Sequence, residues 1–357
     1  MPNPELPGRL GDPDRSLATD PRVDPRILET LTAYQLHTNG EAPPLGPDAA
    51  REQLLAFCAA AEEGFGGLFA DMFSKVPPVT GVQRESVTIT GEDGNEIILY
   101  VHRPEHVSGP LPAIYHTHGG GMVLLSANNP EYQWWRDRQA AEGFVVIGVE
   151  FRNGAGSLGA HAFPAGLRDC VAGLRHVLDH KDELGITHVV ISGESGGGNL
   201  AIATTLSARR DGFGDQIAGV YAECPYVSGA YADPPAELTS LHENNGYFLR
   251  CDTMGLLAAA YTTGADDPTN PLAWPLHASE ADLQGFPPTV ISVNELDPLR
   301  DEGLQFLRKL WKAGVTARGR IVPGTTHAGD ILVAPVNAMN VTDGTAADIA
   351  AFVRSVG

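Results

Sequence analysis

The chain has 357 residues, 43% hydrophobic and 19% charged, enough to bury a full core in one large domain with an accessory part. Its net charge of −20, with 24 Lys and Arg residues that form no basic run, repels phosphate backbones and argues against nucleic acid and polyanionic partners. No run of about 18 or more uncharged apolar residues marks a membrane span, residues 1–22 are polar and proline-rich rather than a secretory signal, and the four scattered cysteines form no CxxC pair. A reducing cytoplasm is expected, with neither a zinc cage nor a disulfide framework.

In chain order, helix-spaced apolar residues predict helices over Pro25–Leu36 and Asp48–Lys75, the second stopped by Pro77-Pro78, so that residues 1–80 read as a helical accessory segment. Val87–Thr90 and Glu96–Val101 flank Gly91-Glu92-Asp93-Gly94, a hairpin signature that places an antiparallel edge here. Short apolar runs follow at Ala113–His116, Val145–Val149, Val189–Ile191, Ala218–Ala222 and Thr289–Val293. They alternate with helical stretches at Pro130–Glu142, Pro164–His180, Gly197–Arg209 and Asp301–Ala313. This is the α/β pattern of βαβ units around a mostly parallel sheet flanked by helices. Between Pro225 and Phe286 the rhythm breaks into a proline-dotted helical insertion, too long for a plain connection.

Gly193-Glu194-Ser195-Gly196-Gly197 is a G-x-S-x-G set between a buried strand and a helix. In that context the serine stands on a strained turn, and the residues two before and two after it must lack side chains. A phosphate loop is the rival reading, but the GK[ST] ending is missing and Glu194 would repel phosphate. At the end of the first parallel strand stands His118-Gly119-Gly120-Gly121, whose glycines let main-chain N–H groups approach a developing oxyanion. Gly120 and Gly121, joined by Gly196, are the expected donors. Both motifs point to acyl transfer at Ser195.

A hydroxyl needs an imidazole to take its proton and a carboxylate to orient that imidazole. In G-x-S-x-G hydrolases these partners follow the serine in the order acid, then histidine. Asp297 follows the run Thr289–Val293, and His327 follows Ala317–Val322 as the only histidine beyond Asp297. Glu295 and Asp301 are rival orienters, although Asp301 suits the first turn of the next helix. His116 and His118 alternate along a strand and face one side, which invites a metal reading, but no carboxylate or third histidine lies at ligand spacing in the sequence. No metal is expected, and His118 is expected to brace the glycine loop.

These residues together resemble the hormone-sensitive-lipase-like esterases of bacteria. The likeness covers about residues 85–330 and rests on HGGG at 118–121, FPAGLRD at 163–169, GESGGGN at 193–199, DPLRDEG at 297–303 and His327. It implies an α/β-hydrolase fold with an eight-stranded sheet and a helical cap. The core would be residues 81–224 and 285–357, and the cap residues 1–80 and 225–284. It further implies a carboxylesterase acting on short- to medium-chain esters through an acyl-enzyme, without a cofactor. Glu194 stands where the family usually has Asp, and Gly196 where it has Ala. Glu194 and Met122, flanking the nucleophile and the glycine loop, are expected to touch substrate. A receptor built on this fold would lack His327, whose presence favours an enzyme. The expected partner is a small-molecule ester; lactones, carbamates, amides and a homodimeric assembly are left open.

Overall fold

Eight strands hydrogen-bond into a single sheet: β1 (Val82–Thr90), β2 (Glu96–Pro104), β3 (Leu111–Thr117), β4 (Val145–Val149), β5 (Ile186–Glu194), β6 (Ile217–Glu223), β7 (Thr289–Asn294) and β8 (Ala317–Val322). Their spatial order is β1-β2-β4-β3-β5-β6-β7-β8. The computed structural model describes residues 5–46, 48–264 and 266–357, so the first four residues of segment 1–80 lie outside it. β1 pairs antiparallel with β2, and β2 antiparallel with β4; every other pairing is parallel. The expected hairpin edge and parallel sheet are therefore both present.

Position in the sheet explains each strand's sequence. β4 (Val-Val-Ile-Gly-Val) and β7 (Thr-Val-Ile-Ser-Val-Asn) are buried along their whole length, so they read as continuous runs without alternation. Each Val or Ile so buried contributes about 1.5–3 kcal/mol. β1 is an edge strand, and it begins at Val82 rather than Val87. Its added residues, Gln83 to Ser86, are polar and carry no strand pattern; pairing with His102 to Arg103 and their neighbours on β2 recruits them. Arg84 also reaches across to the buried carboxylate of Asp137.

Two further departures concern helices. The 225–286 stretch is mostly loop: its one longer helix is Cys251–Tyr261, accompanied by four-residue turns at Ser240–Glu243 and Glu280–Leu283. Pro234, Pro235, Pro268, Pro271 and Pro275 break what its apolar content would otherwise sustain. Conversely, a 17-residue helix at Met339–Ser355 was not expected, because much of its buried face is alanine and threonine (Thr342, Thr345, Ala346, Ala350) and gives weak hydrophobic contrast.

Helix Gly196–Arg210 runs through the centre of the molecule against β5, β6 and β3. Its first turn passes so close to β3 that a Cβ at Gly197 would lie 1.9 Å from the carbonyl oxygen of Thr117, and one at Gly193 would lie 2.5 Å from the same atom. Only glycine fits at these two positions. The turns after β3, β5, β7 and β8 all open at the carboxyl edge of the sheet, where α/β folds place their ligands. His118, Ser195, Asp297 and His327 sit on those four turns.

Candidate active site

Ser195 links β5 to helix Gly196–Arg210 with φ 58° and ψ −119°, a conformation that costs a non-glycine residue about 1–3 kcal/mol. Main-chain bonds hold it there. Its N–H donates to Glu223 O (2.9 Å), and its carbonyl accepts from Asn199 N (3.0 Å) and Tyr226 N (3.1 Å). The half-buried side chain faces an apolar cavity that His327 also lines. His327 Nδ1 lies 2.8 Å from Asp297 Oδ2. A carboxylate only accepts, so Nδ1 carries the proton and Nε2 is left as the basic nitrogen. Asp297 is fully buried; its other oxygen accepts from Leu299 N (2.9 Å), and its carbonyl accepts from Asn244 Nδ2 (3.1 Å). The rival carboxylates are engaged elsewhere: Glu295 accepts from Gly324 N, and Asp301 accepts from Ser240 N in the first turn of helix Arg300–Lys312.

The glycine loop and the nucleophile turn touch through their backbones. A Cβ at Gly196 would lie 2.6 Å from both Gly121 N and Met122 N. Gly121 and Gly196 are thus in close backbone contact, and Gly120 and Gly121 line one cavity with Ser195. Glu194, expected to touch substrate, is among the residues that line the cavity, but both of its carboxylate oxygens are engaged. Its Oε1 accepts the N–H of Gly119 at 2.6 Å, and its Oε2 lies 2.9 Å from His116 Nε2, with the residue wholly buried. One oxygen holds the glycine loop and the other the strand that leads into it. Met122, also expected to touch substrate, is not among the lining residues: it has φ 60°, its side chain is buried, and Leu124 and Leu125 further along line the cavity.

His118 braces the loop as expected, with Nδ1 2.8 Å from Gly119 O and its ring stacked on Phe151 at 4.2 Å. Burial pushes its pKa down to about 3, so it is neutral. The carboxylate missing from the sequence neighbourhood of His116 is Glu194, supplied by the other motif. Among the described residues, the one set of three His, Cys, Asp or Glu groups whose ligand atoms lie within 4.8 Å of one another is Cys224, Asp297 and His327. There Asp297 and His327 already bond each other, and burial holds the Cys224 thiol well above its ordinary pKa, which makes it a poor ligand. All four cysteines are free and buried.

A family model described as the alpha/beta hydrolase fold matches residues 114–330, more than half of the chain. The chain belongs to the α/β-hydrolase family. Among solved structures it is similar to brefeldin A esterase, described as a bacterial homologue of human hormone sensitive lipase, with TM-score 0.95, 43% identity and 98% of each chain covered. It is also similar to esterase Est22, with TM-score 0.84, 38% identity, and 95% of this chain and 99% of that one covered. Carboxylesterase NlhH of Mycobacterium tuberculosis is 32% identical over 263 residues, 71% of this chain and 78% of its own length. Ethyl acetate hydrolase of Pseudomonas putida is 28% identical over 247 residues, 68% and 74%. This α/β-hydrolase is accordingly a hormone-sensitive-lipase-like carboxylesterase.

Within this hydrolase the cavity at Ser195 occupies about 640 Å³ including its mouth. Phe65 and Phe69 come to it from helix Arg51–Ser74, Phe248 and Leu257 from the 225–284 stretch, and Leu332 from the turn after His327. Phe73, one turn beyond Phe69, packs edge-on against Trp134. Sequence reasoning also missed Glu62, whose carboxylate accepts the N–H groups of Leu125 (2.7 Å) and Ser157 (2.6 Å) and so ties that helix to the end of the glycine loop. One member of the adjacent pair Glu62-Glu63 on a helix gives no signal of such a bond.

Proposed function

We propose that Ser195 is the nucleophile, His327 the general base and acid, and Asp297 the orienter, in hydrolysis of short- to medium-chain carboxylic esters. The observation that carries this reading is the 2.8 Å Asp297–His327 pair, whose histidine lines one cavity with a serine held at positive φ. Ser195 Oγ attacks the ester carbonyl while its proton passes to His327 Nε2. The oxyanion that forms takes hydrogen bonds from main-chain N–H groups of Gly120, Gly121 and Gly196. Collapse breaks the C–O bond, His327 returns the proton to the leaving alcohol, and the acyl group stays on Ser195. Water, deprotonated by His327, then releases the acid and regenerates the serine.

In this proposal residues 1–80 and 225–284 form a cap over a core of 81–224 and 285–357. The support is that Phe65, Phe69, Phe248 and Leu257, all from the two cap stretches, close the cavity over Ser195. An apolar pocket favours neutral groups, and each methylene accommodated is worth about 0.8 kcal/mol until the wall is reached. No helix among the described residues is long and apolar enough to cross a membrane, and a reducing cytoplasm suits four free thiols.

Ser195→Ala should lower kcat for p-nitrophenyl butyrate by about four orders of magnitude with an unchanged fold. A fluorophosphonate should label Ser195 alone. Substantial residual turnover, or labelling elsewhere, removes the assignment.

A further inference from the structure

Around Phe65, which lines the active-site cavity, helix Arg51–Ser74 reads Gly64-Phe65-Gly66-Gly67. Glycine is the poorest helix former after proline, because it surrenders the most backbone freedom, so a glycine inside a helix ordinarily has a packing reason. These three have none. A Cβ built at Gly64, Gly66 or Gly67 meets no atom within 4 Å, and none of the three has a positive φ.

The helix is tied down on both sides of this turn. On the N-terminal side Arg51 Nη1 donates to Ala260 O (2.6 Å) and Nη2 to Gly154 O (3.2 Å), while Glu62 accepts from Leu125 N and Ser157 N. On the C-terminal side Phe69 and Met72 are buried, Phe73 packs on Trp134, and Asp71 accepts from the Tyr34 hydroxyl (2.7 Å). Between Glu62 and Phe69 no side-chain hydrogen bond or ion pair holds the described residues of the turn bearing Phe65, and its glycines favour the helix least. Phe65 is half-buried and stacks on Phe69 at 6.0 Å. Local opening occurs where few contacts and weak propensity coincide.

We infer that Gly64, Gly66 and Gly67 are specificity-determining residues: they let the turn carrying Phe65 unwind and yield, and so set how large an ester reaches Ser195. The inference rests on Ser195 being the nucleophile, as proposed above. It explains why a helix over the catalytic cavity keeps three glycines where alanine would fit without contact. Small esters bind without moving Phe65, whereas longer acyl groups need it displaced.

The test is the triple variant Gly64→Ala, Gly66→Ala, Gly67→Ala. Tm should rise by about 2–6 °C, since each alanine stiffens the helix without a clash. For p-nitrophenyl acetate kcat/KM should stay within about twofold of the parent, while for the octanoate it should fall by about fivefold or more. A raised Tm with an unchanged acyl profile overturns the inference, and so does an equal loss on both esters. Hydrogen exchange on the unsubstituted enzyme decides the matter independently of how the variant folds: amides of residues 64–68 should exchange faster than those of 55–61, and equal protection refutes the yielding turn. Failure of the nucleophile assignment is distinguishable, because it would abolish neither acetate turnover nor exchange but would move the fluorophosphonate label away from Ser195.

Discussion

Replacing Glu194 by alanine separates a loop-holding carboxylate from a substrate contact. The side chain is wholly buried and makes two bonds, one to Gly119 N (2.6 Å) and one to His116 Nε2 (2.9 Å). Hydrogen bonds to a charged group contribute about 1.5–3 kcal/mol each, and a buried donor left without a partner costs about 1–3 kcal/mol. Glu194→Ala should therefore destabilise the fold by about 3–5 kcal/mol, seen as a lower midpoint in urea. Gly119 shares a peptide with Gly120, so the loop should drift, and a misplacement of about 1 Å costs on the order of a hundredfold in kcat. KM should change by less than about threefold, because no bond to the ground-state substrate is lost. Glu194→Gln keeps an acceptor for Gly119 and offers an amide N–H to His116, whose Nδ1 has no partner and can take the ring proton. It should lose only about 1–2 kcal/mol and less than about tenfold in kcat. An alanine variant with unchanged stability and kcat but a raised KM would return Glu194 to the substrate contacts and refute this reasoning.

Gly196→Ala should lower kcat by about tenfold to a hundredfold with little change in KM, because the new Cβ would meet Gly121 N and Met122 N at 2.6 Å and push the oxyanion loop away. Turnover within about threefold of the parent would show that the loop gives way freely. Glu131 is wholly buried, with Oε2 lacking any partner, and burial pushes its pKa up to about 7 from an ordinary 4.5. A raised carboxyl pKa contributes stability that is present below pH 4.5 and lost as pH rises through about 7. Glu131→Gln, which cannot ionise, should gain on the parent by up to about 3 kcal/mol between pH 5 and pH 8. Thermal melts at the two pH values check this, and a pH-independent difference contradicts it. Turnover across p-nitrophenyl acetate, butyrate, octanoate and palmitate should peak at a short chain, whereas a maximum at palmitate would mean a pocket far deeper than Phe65 and Phe69 allow.

How much of this was legible in the sequence depended on the range of the interaction. β4 falls at its expected bounds because the local apolar run is all that defines it, and Asp297 and His327 follow from chain order once Ser195 is placed. What was missed lies across long separations. Glu194 reaches residues 75 and 78 positions away, and Glu62 reaches Leu125 across 63 positions. Proline content, not apolarity, decided the 225–286 stretch, where helix-like composition yields one helix of 11 residues.

The role of Glu194 nevertheless had a route from sequence to structure. Side chains alternate along a strand, so Ser192 and Glu194 share one face of β5, and His116 lies opposite Ser192 in the parallel register of β3 and β5. A carboxylate two residues beyond Ser192 must then project toward the exit of β3, where His116 and Thr117 close the strand and His118-Gly119 begins the glycine loop. Such a carboxylate, one residue before Ser195, lines the cavity yet spends both oxygens on that strand and loop. Strand alternation reaches as far as Glu194, whereas Ser195 lies beyond the strand on a turn of positive φ, so the residue next to the proposed nucleophile in sequence is tied to the reaction through the loop it holds.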